Sequence, residues 1–139
     1  MDFTWKNFDR WTNRLKGLAC YLSGPMDFAA DQGAGWRDDI TPFLQQKDVF
    51  VFNPLKHVFA GTSDTDTVKR KRMDEYKSDG NWDAYREEMK DINHWDLRAL
   101  DLSSFVIVNY DVNTFMCGTH EEVFVANRQQ KPVLLVLTE

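Results

Sequence analysis

A chain of 139 residues has room for one domain with a real core, not for two. Hydrophobic residues make up 42% and aromatic ones 14%, enough to fold, and a net charge of −5 argues against a general nucleic-acid binder. No apolar run approaches a membrane span, the opening MDFTWKNFDRW has no signal-peptide pattern, and Cys20 and Cys117 lack metal-ligand spacing. The expectation is a soluble cytoplasmic domain without a metal, a membrane partner or a nucleic-acid partner.

Residues 1–16 space Phe3, Trp5, Phe8 and Trp11 about three apart among charges, which predicts a short amphipathic helix laid on the body or on a partner subunit. Leu18 to Leu22 reads as a first strand, stopped by the turn Ser23-Gly24-Pro25. A polar loop from Met26 to Gly35 follows. Trp36 to Gln46 reads as a helix with Trp36, Ile40, Phe43 and Leu44 on one face, and with Pro42 in its first turn or at a kink. Val49 to Asn53 is a second strand, ended at Asn53-Pro54. Residues 56–80 hold Gly61, Gly80 and the run Lys69-Arg70-Lys71-Arg72, and read as an excursion: a lid, or a surface loop with a helical turn. The basic run suits a solvated face better than a phosphate contact. From Trp82 to about Leu102, Trp82, Tyr85, Met89, Ile92, Trp95 and Ala99 recur at helical spacing, with room for one break. Phe105 to Tyr110 is a third strand. A turn holding Gly118, a helix from Val123 to Gln130 and a fourth strand from Val133 to Leu137 complete the chain.

Strands alternating with helices imply a single three-layer flavodoxin-like, Rossmann-like domain over 1–139, with a mostly parallel sheet of four or five strands. Ligands of such sheets bind beyond the carboxyl ends of the strands. The loops starting at Ser23, Asn53 and Asp111 are expected there, bringing Tyr21, the 53–61 segment and Glu122 to one crevice. In an arbitrary protein of this class, Glu121 and Glu122 on a helix's first turn would serve only to balance its dipole.

Four motifs in order carry a resemblance. Tyr21-Leu22-Ser23-Gly24-Pro25 closes the first strand and Val51-Phe52-Asn53-Pro54 the second. Asp96-Leu97-Arg98-Ala99-Leu100 precedes Ser103-Ser104 and the third strand. Gly118-Thr119-His120-Glu121-Glu122 is followed by Ala126 and Lys131-Pro132-Val133. Together they resemble the nucleoside 2-deoxyribosyltransferase family, whose superfamily includes 2′-deoxynucleoside 5′-phosphate N-hydrolases. The likeness covers most of residues 18–137, leaving out the N-terminal tail and the 59–81 excursion. It implies Glu122 as nucleophile, Tyr21 holding its carboxylate and Asp96 as second acid, with no cofactor. Family members often place an acid just before the Gly-Thr; here Met116-Cys117 stand there, and Asp111 is the nearest acid.

The chemistry is consistent with those residue types. Cleaving an N-glycosidic bond passes through an oxocarbenium-like sugar, which a carboxylate can trap as a glycosyl ester while an acid protonates the leaving base. Asp96 would protonate the base or position the sugar hydroxyls. Ser23, Gly24, Pro25, Asn53, Asp111, Gly118 and Thr119 are expected substrate contacts, with Met26, Phe28 and Trp36 as walls for the base and His57 at its edge. Three functions are compatible with the sequence. One is a transferase moving deoxyribose between bases, and another is a hydrolase of (deoxy)nucleoside 5′-monophosphates, with Arg37 or the 69–72 run meeting the phosphate. The third is a nucleotide-binding module without catalysis. The partner is a small nucleoside or nucleotide, and the family implies a homo-oligomer.

Overall fold

The computed structural model describes residues 13–59 and 62–138, so the helix expected over 1–16 lies almost wholly outside the described residues. Four strands, β1 (Ala19–Ser23), β2 (Phe50–Phe52), β3 (Phe105–Asp111) and β4 (Val133–Thr138), form one parallel sheet in the order β2-β1-β3-β4. Four helices join them: α1 (Ala34–Gln46), α2 (Asp66–Ser78), α3 (Trp82–Leu102) and α4 (Cys117–Arg128). The α/β class and flavodoxin-like strand order expected from the sequence are those observed.

Right-handed crossovers dictate the layers. The chain steps from β1 to β2 on one side, then returns past β1 to β3 and β4, so α1 covers one face and α3 with α4 the other. Leu44 and the α1 side of the sheet (Cys20, Leu22, Ile107) form one core cluster with Trp36 and Ile40 packed against it. Tyr21, Val106 and Val108 meet Ala99 and Leu100 of α3 and Ala126 of α4 in the other. Alternation along β1 and β3 therefore assigns each side chain to its layer. Tyr21 and Ser23 point to the α3/α4 side, and Leu22 to the α1 side.

Two helices differ from the sequence reading. Residues 56–80 are largely helical rather than looped. A short 3-10 turn over Pro54–Lys56 leads to α2, where Thr65 caps the N-terminus by accepting from the Val68 N–H and Asp66 sits in the first turn. The basic run is not a solvated face. Lys69 Nζ meets Glu88 at 2.7 Å and Asp91 at 3.0 Å, and Arg72 bridges Asp64 and Glu88, so the run ties α2 to α3 and to its own approach loop. The second difference is α4, which starts at Cys117, six residues before the expected Val123. No acid lies in its first turn, so dipole compensation no longer accounts for Glu121 and Glu122. α3 runs unbroken for 21 residues, and Pro42 sits inside α1 rather than in its first turn.

Candidate active site

Beyond the carboxyl ends of β1 and β3 lies a crevice of about 300 Å³, walled by Gly24 to Phe28, by Arg70, by Met89, Ile92, Asn93 and Asp96, and by Phe115 to Thr119 with Glu121 and Glu122. Each wall has a reason in the local sequence. The buried stripe of α3 is Ile92, Asp96, Ala99 and Leu100. Those positions are one helix face, so the spacing that buries two apolar residues against the sheet also buries Asp96. On α4 the buried positions are Thr119, Glu122 and Ala126, and Glu122 is carried inward in the same way. A carboxylate on a buried stripe is costly unless it is paired or does chemistry.

Glu122 is only 9% exposed. Its Oε1 accepts from the Tyr21 hydroxyl at 2.6 Å and its Oε2 accepts a short bond from the Ser23 hydroxyl. Both donors come from the same face of β1, two residues apart. Burial raises the Glu122 carboxyl above its usual value, opposed by the two hydroxyl donors and by the Arg37 charge. Asp96, also 9% exposed, is pushed up to about 8, first by burial and then by the neighbouring Glu122 charge. Tyr21 is raised well above its ordinary value by burial and by both carboxylates, which keeps its hydroxyl a donor. At neutral pH Asp96, raised to about 8, is a carboxylic acid that retains its proton beside the Glu122 carboxyl held by two hydroxyls.

Of the residues singled out from sequence, Tyr21, Ser23, Asp96 and Glu122 meet in or directly beneath this crevice, and Gly24, Pro25, Met26, Phe28, Gly118 and Thr119 line it. Four others lie elsewhere. Asn53 caps the 3-10 turn by accepting from the Leu55 N–H, and with His57 it lines a separate hollow along the outer edge of β2. The His57 ring is stacked on Trp95, centroids 3.8 Å apart, so it packs against α3 instead of turning to the carboxylates. Asp111 closes its own turn, accepting from the Asn113 N–H and the Thr114 hydroxyl. That turn leaves it off the crevice wall and does not replace the acid missing before Gly118. Trp36 lies on the α1 side, against the core and the back of Gly24.

Two residues were not legible as site components. Phe115 is exposed and meets Phe28 edge to face, centroids 5.9 Å apart, across the mouth of the crevice. Its signal was an aromatic in a polar turn two residues before a helix. Arg37, expected at most to meet a phosphate, is fully buried, with its guanidinium on backbone carbonyls. Arg70 reaches the crevice wall but bonds Asp66 at 2.6 Å and pairs with Asp27. Among the described residues there is no cluster of side chains suited to a metal ion, and no helix is long and apolar enough to cross a membrane.

No protein-family model matches this chain, and no curated protein matches it. The functional reading therefore rests on the site itself and on the resemblance carried by its motifs.

Proposed function

We propose that the protein is a cytoplasmic N-glycoside-cleaving enzyme of nucleotide metabolism, of the nucleoside 2-deoxyribosyltransferase type. It would move a 2-deoxyribosyl group from one nucleobase to another. The observation that carries this reading is the buried Glu122 carboxylate held by the Tyr21 and Ser23 hydroxyls beside a second, protonated acid. In the first half-reaction a Glu122 oxygen attacks C1′ of the sugar. The C1′–N bond breaks with its electron pair going to the base, and Asp96 supplies the proton that lets the base leave neutral. In the second, a nitrogen of the incoming base attacks C1′, the ester bond to Glu122 breaks, and the proton returns to Asp96. Phe28 and Phe115 flank the mouth and suit a flat base, which stacks on aromatic faces.

The charge around the crevice favours a nucleoside over a 5′-monophosphate. Arg70, the cation of its wall, is engaged by Asp66 and Asp27, and the carboxyls of Glu121 and Glu122 face the same space. A phosphate dianion entering there would have to displace a carboxylate from Arg70. A homo-oligomer is part of the same reading. It is supported by β4, an edge strand whose Leu134, Leu135, Val136 and Leu137 are all 43% or more exposed.

Incubating the protein with a panel of deoxynucleosides, nucleosides and their 5′-monophosphates, with and without a free acceptor base, tests the reading by chromatography of released and exchanged base. Base exchange with deoxynucleosides is expected. Base release from monophosphates without exchange would instead mark a hydrolase, and turnover of no substrate would leave a binding module.

A further inference from the structure

Arg37 takes no part in the chemistry derived above, yet it is the largest fully buried side chain among the described residues. A buried guanidinium carries a heavy desolvation cost unless its donors are satisfied. Here Nε donates to the Leu22 carbonyl at 3.3 Å, Nη2 to the Gly24 carbonyl at 3.0 Å and Nη1 to the Gly33 carbonyl at 2.7 Å. The first two carbonyls flank Ser23, whose hydroxyl holds Glu122. The third belongs to Gly33, the N-cap residue just before α1. Gly33 has φ of +75°, and a Cβ there would lie 2.3 Å from the Pro25 carbonyl and 2.4 Å from Nη1. Asp31 accepts from the Gly33 and Gly35 N–H groups and fixes the same corner. The β1–α1 loop is thus drawn in from both ends onto one planar cation.

We propose that Arg37 is the positioning residue of this site. Through the carbonyls of Leu22 and Gly24 it fixes the segment that presents Ser23 to Glu122, and its buried charge faces that carboxylate across the strand end. A planar fork with several donors suits this role, because an ammonium cannot reach three carbonyls spread around a plane. The groups facing Glu122 are Tyr21 and Ser23 from β1, Asp96 from α3, Arg37 from α1 and Glu121 on its own helix, with Asp66 and Arg70 of α2 beside Asp96. In that company Arg37 is the cation that lowers the Glu122 carboxyl, while burial raises it.

The role in catalysis rests on the function proposed above, but its physical basis does not, so the test begins without substrate. The protonation of Glu122 is followed by isotope-edited infrared spectroscopy of carboxyl-labelled protein, with Glu122→Gln identifying the signal. In Arg37→Met the midpoint should rise by at least about one pH unit, because the favourable charge is gone. In Arg37→Lys it should stay near the wild-type value, while amide exchange at Gly24 and Gly33 quickens about tenfold or more in both variants, as the clamp loosens. With a substrate in hand, Arg37→Lys should lower kcat with KM nearly unchanged. A wild-type Glu122 midpoint in folded Arg37→Met would overturn the proposal. If Arg37→Met does not fold, wild-type exchange at Gly24 and Gly33 in Arg37→Lys overturns it. Should no substrate be turned over while the midpoint and exchange change as stated, the reaction is wrong and the positioning role stands.

Discussion

At the scale of single residues, Glu121 and Glu122 are neighbours in sequence with different surroundings. Glu122 is buried and held by two hydroxyls, whereas Glu121 is exposed on the crevice rim. Glu122→Gln keeps the shape and loses the charge, so turnover should fall by about a thousandfold or more while ligand binding stays within roughly tenfold. Glu121→Gln should change turnover little. Equal activity in both, measured by base release, would contradict the assignment. Asp96 makes a second prediction. Its carboxyl, raised to about 8, is neutral and able to donate below that pH, so kcat/KM should decline as pH rises through about 8, and Asp96→Asn should be slower and lack that decline. The sign for stability follows from linkage. For an acid with a raised folded-state value, the contribution to stability is fully present below its unfolded value near 4 and is lost as pH rises through about 8. Asp96→Asn should therefore gain in melting temperature over wild type across that window. The acids were visible in sequence through the resemblance that their motifs carry, and the buried helical stripes that hold them became visible only in the structure. His57, Asn53 and Asp111 were misplaced because ring stacking and turn hydrogen bonds are short-range choices that no periodicity records.

Among the elements, the four strands were legible as short apolar runs bounded by turn residues, and the long α3 because apolar residues recur at three and four along it. The start of α4 was not. Met116 to His120 contains a glycine and polar residues and reads as a turn, but Gly118 has become the second residue of the helix. A Cβ at Gly118 would meet nothing within 4 Å, and the residue lines the crevice, so its backbone does not require glycine. Gly118→Ala should stabilise the fold by about 0.5–1 kcal/mol through helix propensity and yet weaken nucleoside binding, because the methyl occupies ligand space. Thermal melts and titration calorimetry separate the two effects. Loss of stability would mean that the glycine is there for the chain and not for the ligand. α2 was hidden for a different reason. Its apolar content is low, and its order depends on ion pairs to Glu88, Asp91 and Asp64 that become visible only in three dimensions.

For the whole molecule, strand order fixes where chemistry can occur. With β1 and β3 side by side at the centre of the sheet, the turns leaving them open on one crevice, while β2 at the edge carries Asn53 and His57 away from it. Connection rules anticipated the crevice beyond β1 and β3, but they also brought the 53–61 segment to it, and the edge position of β2 keeps that segment in a separate hollow. The state of the other edge was not legible: the apolar run Val133 to Leu137 that marks the fourth strand is largely exposed on β4. Leu135→Lys, on an exposed apolar edge, should shift the protein toward monomer in sedimentation velocity if β4 is an oligomer contact, with melting temperature of the monomer little changed. An unaltered sedimentation profile would remove β4 from the interface. The central claim, that Glu122 forms a bond to the sugar, is tested most directly by trapping. The protein is incubated with a slow 2-fluoro-substituted deoxynucleoside, digested and analysed by peptide mass spectrometry. The account predicts a fluorosugar adduct on the peptide containing Glu122, absent from Glu122→Gln; an adduct on another residue, or base release with no adduct at all, would contradict it.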